Sequence, residues 1–174
     1  MTDKNDYKIT GILGWPVSHS LSPLIHNFWI KQYNRRGAYI PLEISPNDLK
    51  SAIDACYSLG MAGLNLTLPH KESCLSVLDK IDETALEIGA VNTIVFQTNG
   101  KTFGYNTDSF GFRAAIESKT PNGWNLSGKN VVVIGSGGAS KAVLHAIRNW
   151  GAGEIRITNR TDSRAENLAT QLGS

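Results

Sequence analysis

The sequence is poor in cysteine. Cys56 and Cys74 are the only two among 174 residues, and they form no CxxC pair. A disulfide scaffold and a zinc ribbon are therefore excluded, and reduced thiols in a cytoplasm are the expectation. Long apolar runs are missing as well. No stretch approaches the roughly 20 residues a membrane helix requires, and Met1–Asp6 is too polar for a signal peptide. The four histidines (His19, His26, His70 and His145) include no HxxxH pair, so no metal site is expected. There is no internal repeat or low-complexity tract, and charge of one sign is nowhere concentrated. Residues 1–108 carry nine Lys/Arg against eleven Asp/Glu, whereas residues 109–174 carry eight against four. That mild basic bias suits an anionic, phosphorylated ligand in the second part but is too diffuse for nucleic acid. What remains, 41% hydrophobic and 18% charged, is ordinary for a soluble globular chain of one domain, or one and part of another.

Element signals alternate. Lys8–Gly14 reads as a strand ended by Gly14 and Pro16. Ser22-Pro23 then reads as an N-cap serine and a first-turn proline, opening a helix with Leu24, Ile25, Phe28 and Trp29 as its apolar stripe. A second strand spans Ala38–Ile44, and Ser45-Pro46-Asn47-Asp48 forms a capping box for a helix with Leu49, Ile53 and Cys56 on one face, closing at Gly60. A third strand follows, so the order βαβαβ predicts parallel strands joined by crossover helices. Lys71–Ile81 and Glu83–Ile88 are expected as short helices. Ala90–Phe96 and Lys101–Tyr105 flank Thr98-Asn99-Gly100 as a hairpin, and Asn106-Thr107-Asp108 opens a helix to about Lys119.

After the loop Thr120–Gly123 a second unit begins. Val131–Ile134 has four consecutive β-formers without alternation, which suits a strand covered on both faces. Gly135-Ser136-Gly137-Gly138-Ala139-Ser140 follows at once, then a helix with Ala139, Ala142, Val143, Ala146, Ile147 and Trp150 inward. Strand, glycine turn and helix in that order let backbone N–H groups and a helix N-terminus face a pyrophosphate. Gly135 permits the turn and Gly137 the close approach, while Ser140 stands where the generic fingerprint has its third glycine. A strand Glu154–Thr158 ends at Asn159-Arg160-Thr161, and a last helix places Ala165, Leu168, Ala169 and Leu172 inward. NAD-binding folds offer a carboxylate at this strand end to hold a ribose hydroxyl. Arg160, with Arg164 one turn on, suits a 2′-phosphate, so NADP is favoured over NAD.

The stretch with most chemistry is Asn65-Leu66-Thr67-Leu68-Pro69-His70-Lys71. Asn65 and Thr67 alternate with Leu64, Leu66 and Leu68, which puts two polar side chains on one face of a buried strand that stops at Pro69. A ligand is one way to satisfy such a face. Lys71 then stands at the lip of the sheet, where the alternative is a solvated turn lysine.

Six motifs in order resemble shikimate dehydrogenases: Ser20-Leu21-Ser22-Pro23, Asn65 to Lys71, Ala90-Val91-Asn92-Thr93, Asn106-Thr107-Asp108, Gly135 to Ser140 and Asn159-Arg160-Thr161. The resemblance implies an α/β protein: a three-layer substrate domain over residues 1–108, then an incomplete Rossmann NADP-binding domain over residues 109–174. It implies that Ser20 and Ser22 hold a substrate carboxylate, and that Thr67, Asn92 and Asp108 bind ring hydroxyls. Lys71, itself in contact with substrate, would be catalytic together with Asp108. Gly135, Ser136, Gly137, Gly138, Ala139, Ser140, Asn159, Arg160, Thr161 and Arg164 would hold NADP. The implied reaction is reversible NADPH-dependent reduction of 3-dehydroshikimate to shikimate in a cytoplasmic route to aromatic amino acids through chorismate. Reducing a ketone needs a proton on the developing alkoxide, and a lysine ammonium supplies proton and charge together. Burial would lower the Lys71 pKa and Asp108 would oppose that, and the sequence leaves the balance open. Ser22 and Asp108 are equally placed to cap their own helices.

Two departures matter. A dinucleotide fold has roughly five or six strands, and two are present. The C-terminal helix that brings a glutamine to the substrate in this family is also missing. The expectation is therefore an N-terminal fragment or truncated reading frame of impaired activity, with an unpaired apolar edge at Val131–Ile134. Two alternatives stand beside the main reading: a quinate/shikimate dehydrogenase, and a module that binds shikimate-like acids without turnover. The expected partner is a small molecule, with no nucleic acid or membrane. A homodimer is admitted, on which the sequence is otherwise silent.

Overall fold

The computed structural model describes residues 7–171, which fall into two compact units, residues 7–86 with Ala90–Tyr105 and Glu87–Gly89 with residues 106–171. In chain order the elements are β1 (Lys8–Gly14), α1 (Ser22–Gln32), β2 (Gly37–Glu43), α2 (Leu49–Ser58), β3 (Gly63–Leu66), α3 (His70–Ser73), β4 (Lys80–Ile81), α4 (Glu83–Ile88), β5 (Thr93–Phe96), β6 (Thr102–Tyr105), α5 (Asp108–Glu117), β7 (Val131–Ile134), α6 (Gly138–Asn149), β8 (Ile155–Thr158) and α7 (Asp162–Gln171).

The first unit is a mixed six-stranded sheet in the order β2-β1-β3-β5-β6-β4. β1 pairs in parallel with β2 and β3, as the βαβαβ order requires, and the β5–β6 hairpin adds antiparallel strands beside β3. Successive strand residues face opposite ways, so Leu13 and Ile12 enter different cores. Leu13, Leu64, Leu66 and Ile94 meet Leu49, Ile53 and Cys56 of α2 in the larger core. Ile12 and Tyr39 meet Val17 and Ile30 of α1 on the other side, which gives the three layers. Each fully buried aliphatic side chain here, such as Leu13 or Ile53, stabilises the fold by about 1.5–3 kcal/mol.

Several local expectations change. Lys80–Ile81 is a strand paired with β6 rather than helix, because Asp79 and Thr102 clasp there: Thr102 N–H and Oγ1 each donate to Asp79 Oδ2 at 2.8 Å. The helix opening at Lys71 is correspondingly short, α3 passing into a 3-10 turn over Cys74–Ser76. Ser45 caps a 3-10 turn over Pro46–Asp48 by accepting from Asn47 N–H, so the capping box does not form on α2 itself. Leu68 lies past the end of β3 and is exposed, which ends the alternation at Thr67. The stripe of α1 is there, but Leu24, Ile25, Phe28 and Trp29 are all exposed among the described residues.

The second unit pairs β7 with β8 in parallel. Val131, Val133, Ile155 and Ile157 share one core with Leu144 and Ile147 of α6 and Leu168 of α7. The helices gather on that one face, so Val132 and Ile134 on the opposite face are exposed, contrary to a strand covered on both sides. Ala139 is likewise exposed at the start of α6, whose buried positions are Ala142, Leu144, Ala146 and Ile147. The expected inward Leu172 lies outside the described residues.

Candidate active site

Leu13 stands opposite Leu66, and Thr93 stands opposite Asn65 on a strand running the other way. The C-terminal ends of β1 and β3 and the N-terminal end of β5 therefore share one edge of the sheet. That topology brings three distant segments together: the loop after β1 with Ser20 and Ser22, the turn after β3 with Thr67 and Lys71, and Asn92 just before β5. Backbone bonds continue the ladder past the strand ends. Thr67 N–H donates to Leu13 O at 2.9 Å, Trp15 N–H to Leu68 O at 3.0 Å, and Val91 N–H to Lys71 O at 2.7 Å.

Each side chain is placed by a local cause. The loop after β1 is held where Val17 N–H donates to Glu43 Oε2 at 3.1 Å. Helix α1 begins at Ser22 rather than after it. Ser22 is thus its first residue, and Ser20 Oγ accepts the Ser22 N–H at 3.3 Å. Thr67 abuts Gly14: a Cβ on Gly14 would lie 2.5 Å from Thr67 Cγ2, so only glycine admits that side chain there. His70 is fully buried, and its Nε2 lies 2.8 Å from Ile44 O, tying the turn that carries Lys71 to the end of β2. A carbonyl only accepts, so Nε2 carries the hydrogen of that bond. Ser20, Ser22, Thr67 and Lys71 are half-buried, and Asn92 is buried.

Behind this rim runs a connected set of side chains. Tyr39 Oη donates to Asn65 Oδ1 at 2.8 Å; Asn65 Nδ2 donates to Thr93 Oγ1 at 3.0 Å and to Asn92 O at 3.2 Å; Thr93 Oγ1 donates to Asn92 Oδ1 at 2.9 Å. Burial pushes the Tyr39 hydroxyl pKa up to about 12, against the pull of a hydrogen bond from Ser22. His26 stacks on the Tyr39 ring at 4.2 Å, and burial lowers its pKa, favouring the neutral ring. Asn27 of α1 clasps the Tyr39 backbone, donating to its oxygen at 2.8 Å and accepting its N–H at 3.0 Å. Sequence reasoning placed neither Tyr39 nor Thr93 in the site. The available signal was polarity on one side of adjacent strands, which becomes informative only once the register is known.

In the second unit, Ile134 stands opposite Thr158 and Gly135 N–H donates to Thr158 O at 2.7 Å. The glycine turn and the Asn159–Arg164 segment thereby share one edge of that sheet. Gly135 has a φ of +112°, which only glycine adopts without strain, and a Cβ at Gly137 or Gly138 would meet nothing within 4 Å. Open space at the N-terminus of α6 is what a pyrophosphate needs, so the residues present fit the cofactor. Arg160 and Arg164 are exposed. A groove of about 590 Å³ along β8 and α7 contains no residue of the glycine turn. Asp108 is the first residue of α5, its N–H donating to Asn106 Oδ1 at 2.9 Å. Lys71 belongs to the first unit and Asp108 to the second. The neighbouring Ser109 lies 2.8 Å from His145 Nδ1, and His145 Nε2 lies 2.9 Å from Glu87 Oε2, a chain of contacts that the sequence did not suggest.

Comparison with known proteins gives concordant matches. A family model described as the shikimate dehydrogenase substrate binding domain matches residues 12–94, and one described as shikimate / quinate 5-dehydrogenase matches residues 116–174. The shikimate dehydrogenase (NADP(+)) of Paramagnetospirillum magneticum is 44% identical over 95% of this chain and 60% of that protein. The crystal structure of shikimate 5-dehydrogenase from Thermus thermophilus in complex with NADP(H) and shikimate is 38% identical, with a TM-score of 0.85 over 95% of this chain and 61% of that one. Quinate dehydrogenase from Corynebacterium glutamicum in complex with NAD is 34% identical, with a TM-score of 0.87 over 97% and 61%. The chain spans about three fifths of the length of these relatives.

Proposed function

The chain belongs to the shikimate dehydrogenase family, and from that premise we propose that it serves the reversible NADP-linked interconversion of 3-dehydroshikimate and shikimate in a cytoplasmic route to chorismate. The observation that carries the reading is the convergence of Ser20, Ser22, Thr67, Lys71 and Asn92 at one sheet edge from three separate segments. In this reading Ser20 and Ser22 hold the carboxylate, where hydroxyls and the N-terminus of α1 favour an anion. Thr67, Asn92 and Asp108 take ring hydroxyls. Lys71 contacts the reacting oxygen, stabilises its developing charge and gives it a proton, with Asp108 as its partner carboxylate.

When bound, the dinucleotide supplies or accepts the hydride. The chain's own part is to hold it. The turn Gly135, Ser136, Gly137, Gly138, Ala139 and Ser140 offers backbone N–H groups to the pyrophosphate, and Asn159, Arg160, Thr161 and Arg164 meet the adenosine end. A guanidinium at Arg160 pairs with a 2′-phosphate that a carboxylate would repel.

The test is NADP-dependent shikimate oxidation followed at the nicotinamide band, with quinate and NAD as competing pairs. Shikimate with NADP is expected to be the preferred pair, and in a version extended to the length of its relatives Lys71→Ala should reduce turnover far more than shikimate affinity. Preference for quinate with NAD would favour the quinate-type reading instead. Shikimate binding with no absorbance change, on addition of NADP, would favour a binding module.

A further inference from the structure

We infer that Thr93 and Tyr39 are positioning residues that preset the Asn92 side chain as a hydrogen-bond donor toward the ligand. This rests on the substrate reading above. Donor and acceptor chemistry fixes the direction of the links at Asn65. Asn65 Nδ2 lies 3.2 Å from the backbone oxygen of Asn92, which can only accept, and this fixes which end of the Asn65 amide is nitrogen. Its oxygen therefore faces Tyr39, whose hydroxyl must donate across 2.8 Å. Its nitrogen also donates to Thr93 Oγ1 at 3.0 Å, so Thr93 has its own proton left for Asn92 Oδ1 at 2.9 Å. In the structure the Asn92 amide oxygen faces Thr93, which puts its nitrogen on the opposite side.

Three features hold the relay rigid. Asn92 is 8% exposed and Tyr39 3% exposed, so neither rotates without disturbing packing. The Tyr39 backbone is clasped by Asn27 and its ring is stacked on His26. Asn92 N–H donates to Tyr105 O at 2.9 Å and its carbonyl accepts from Leu66 N–H at 2.8 Å, so its backbone is anchored on both neighbours. Bonds in such a chain polarise one another, and an amide held in one orientation loses less freedom when a ligand binds. The ligand group at Asn92 must then be an acceptor, as a hydroxyl or carbonyl oxygen is. An ammonium there would meet the wrong end of the amide.

The experiment uses the 174-residue chain, with Thr93→Val to remove the hydroxyl at constant shape and Thr93→Ser to restore it. Two ligands are titrated by NMR chemical shift: shikimate, and cyclohex-1-ene-1-carboxylate, which keeps the carboxylate and lacks the ring hydroxyls. The Asn92 side-chain amide resonances are followed in the ligand-free protein. Expected is a loss of about 10-fold in shikimate affinity for Thr93→Val, recovery to near wild type for Thr93→Ser, unchanged affinity for the deoxygenated acid, and broadened Asn92 amide resonances in Thr93→Val alone. Wild-type shikimate affinity in Thr93→Val, or equal loss of both ligands, overturns the inference, as does a serine variant that behaves like valine. If the wild-type chain binds no shikimate, the amide resonances decide: a Thr93-dependent change upholds the relay and sinks the substrate reading. No change sinks both.

Discussion

Replacing Gly14 by alanine tests how tightly the rim is built. Gly14 ends β1 beside Thr67, and the added methyl would sit 2.5 Å from Thr67 Cγ2 and 3.2 Å from Val17 Cγ2. Carbon atoms attract from about 3.5 Å outward, so one neighbour must withdraw by about 1 Å. Val17 is 2% exposed and wedged among Ile12 and Tyr39, whereas Thr67 is half-buried just past a strand end. Thr67 is therefore the group that moves, and its branched Cβ leaves few rotamers to move into. Overpacking of this kind costs about 1–3 kcal/mol of stability. The displaced hydroxyl should weaken shikimate binding by about 10-fold, the worth of one misdirected hydrogen bond. Calorimetric titration with shikimate and urea unfolding read the two effects separately. The decisive variant is Gly14→Ala with Thr67→Ser, which deletes the obstructing Cγ2 but keeps the hydroxyl. Affinity should return to within about 3-fold of wild type and most of the lost stability with it. A double variant as impaired as Gly14→Ala alone would refute the steric argument.

Two further outcomes follow from buried groups. His70→Ala removes the tie to Ile44 O and empties a site of zero exposure, and should cost about 2–4 kcal/mol in urea unfolding; His70→Leu, which comes near the histidine volume, should recover part of it, and an unchanged midpoint for alanine would contradict the role given to His70. Alkaline pH should destabilise the fold in a defined window. Burial raises Cys74 from 9.0 to about 11 and Tyr39 from 10.0 to about 12, so the native state keeps protons that the unfolded chain releases. The stabilisation is complete below pH 9, declines between 9 and 11 for Cys74, and declines between 10 and 12 for Tyr39. Urea midpoints measured from about pH 8 to pH 11 should fall accordingly, less steeply in Tyr39→Phe; a flat profile would contradict both shifts.

Much of the architecture was legible because it is written locally. Gly60 at the end of α2, Gly100 in the hairpin and Gly135 in the phosphate turn each sit at positive φ, where turn chemistry demands glycine. The strand run Lys8–Gly14 and the order of helices and strands after it predicted parallel strands, as the β2-β1-β3 core has, while the strand order itself came from the structure. Less visible were the capping details at Ser22 and Ser45 and the strand at Lys80–Ile81, where contacts from residues 23 positions away decided the outcome. The four apolar residues of β7 read as a doubly covered strand, yet which faces are covered depends on where helices pack, and that leaves no mark in the strand itself.

By itself the sequence determined the order of elements apart from the short strand at Lys80–Ile81, the glycine turn with Arg160 close behind it, and the rim motif Asn65 to Lys71, because each is a run of neighbouring residues whose conformational preferences are fixed by their own side chains. Only the tertiary structure decided that Tyr39, Asn65, Thr93 and Asn92 form one relay and that His70 reaches Ile44. Those partners lie 26 and more positions apart, save for Thr93 and Asn92. Strand register, not sequence spacing, sets which polar groups face one another, and register is fixed by burying the apolar faces of the whole sheet at once.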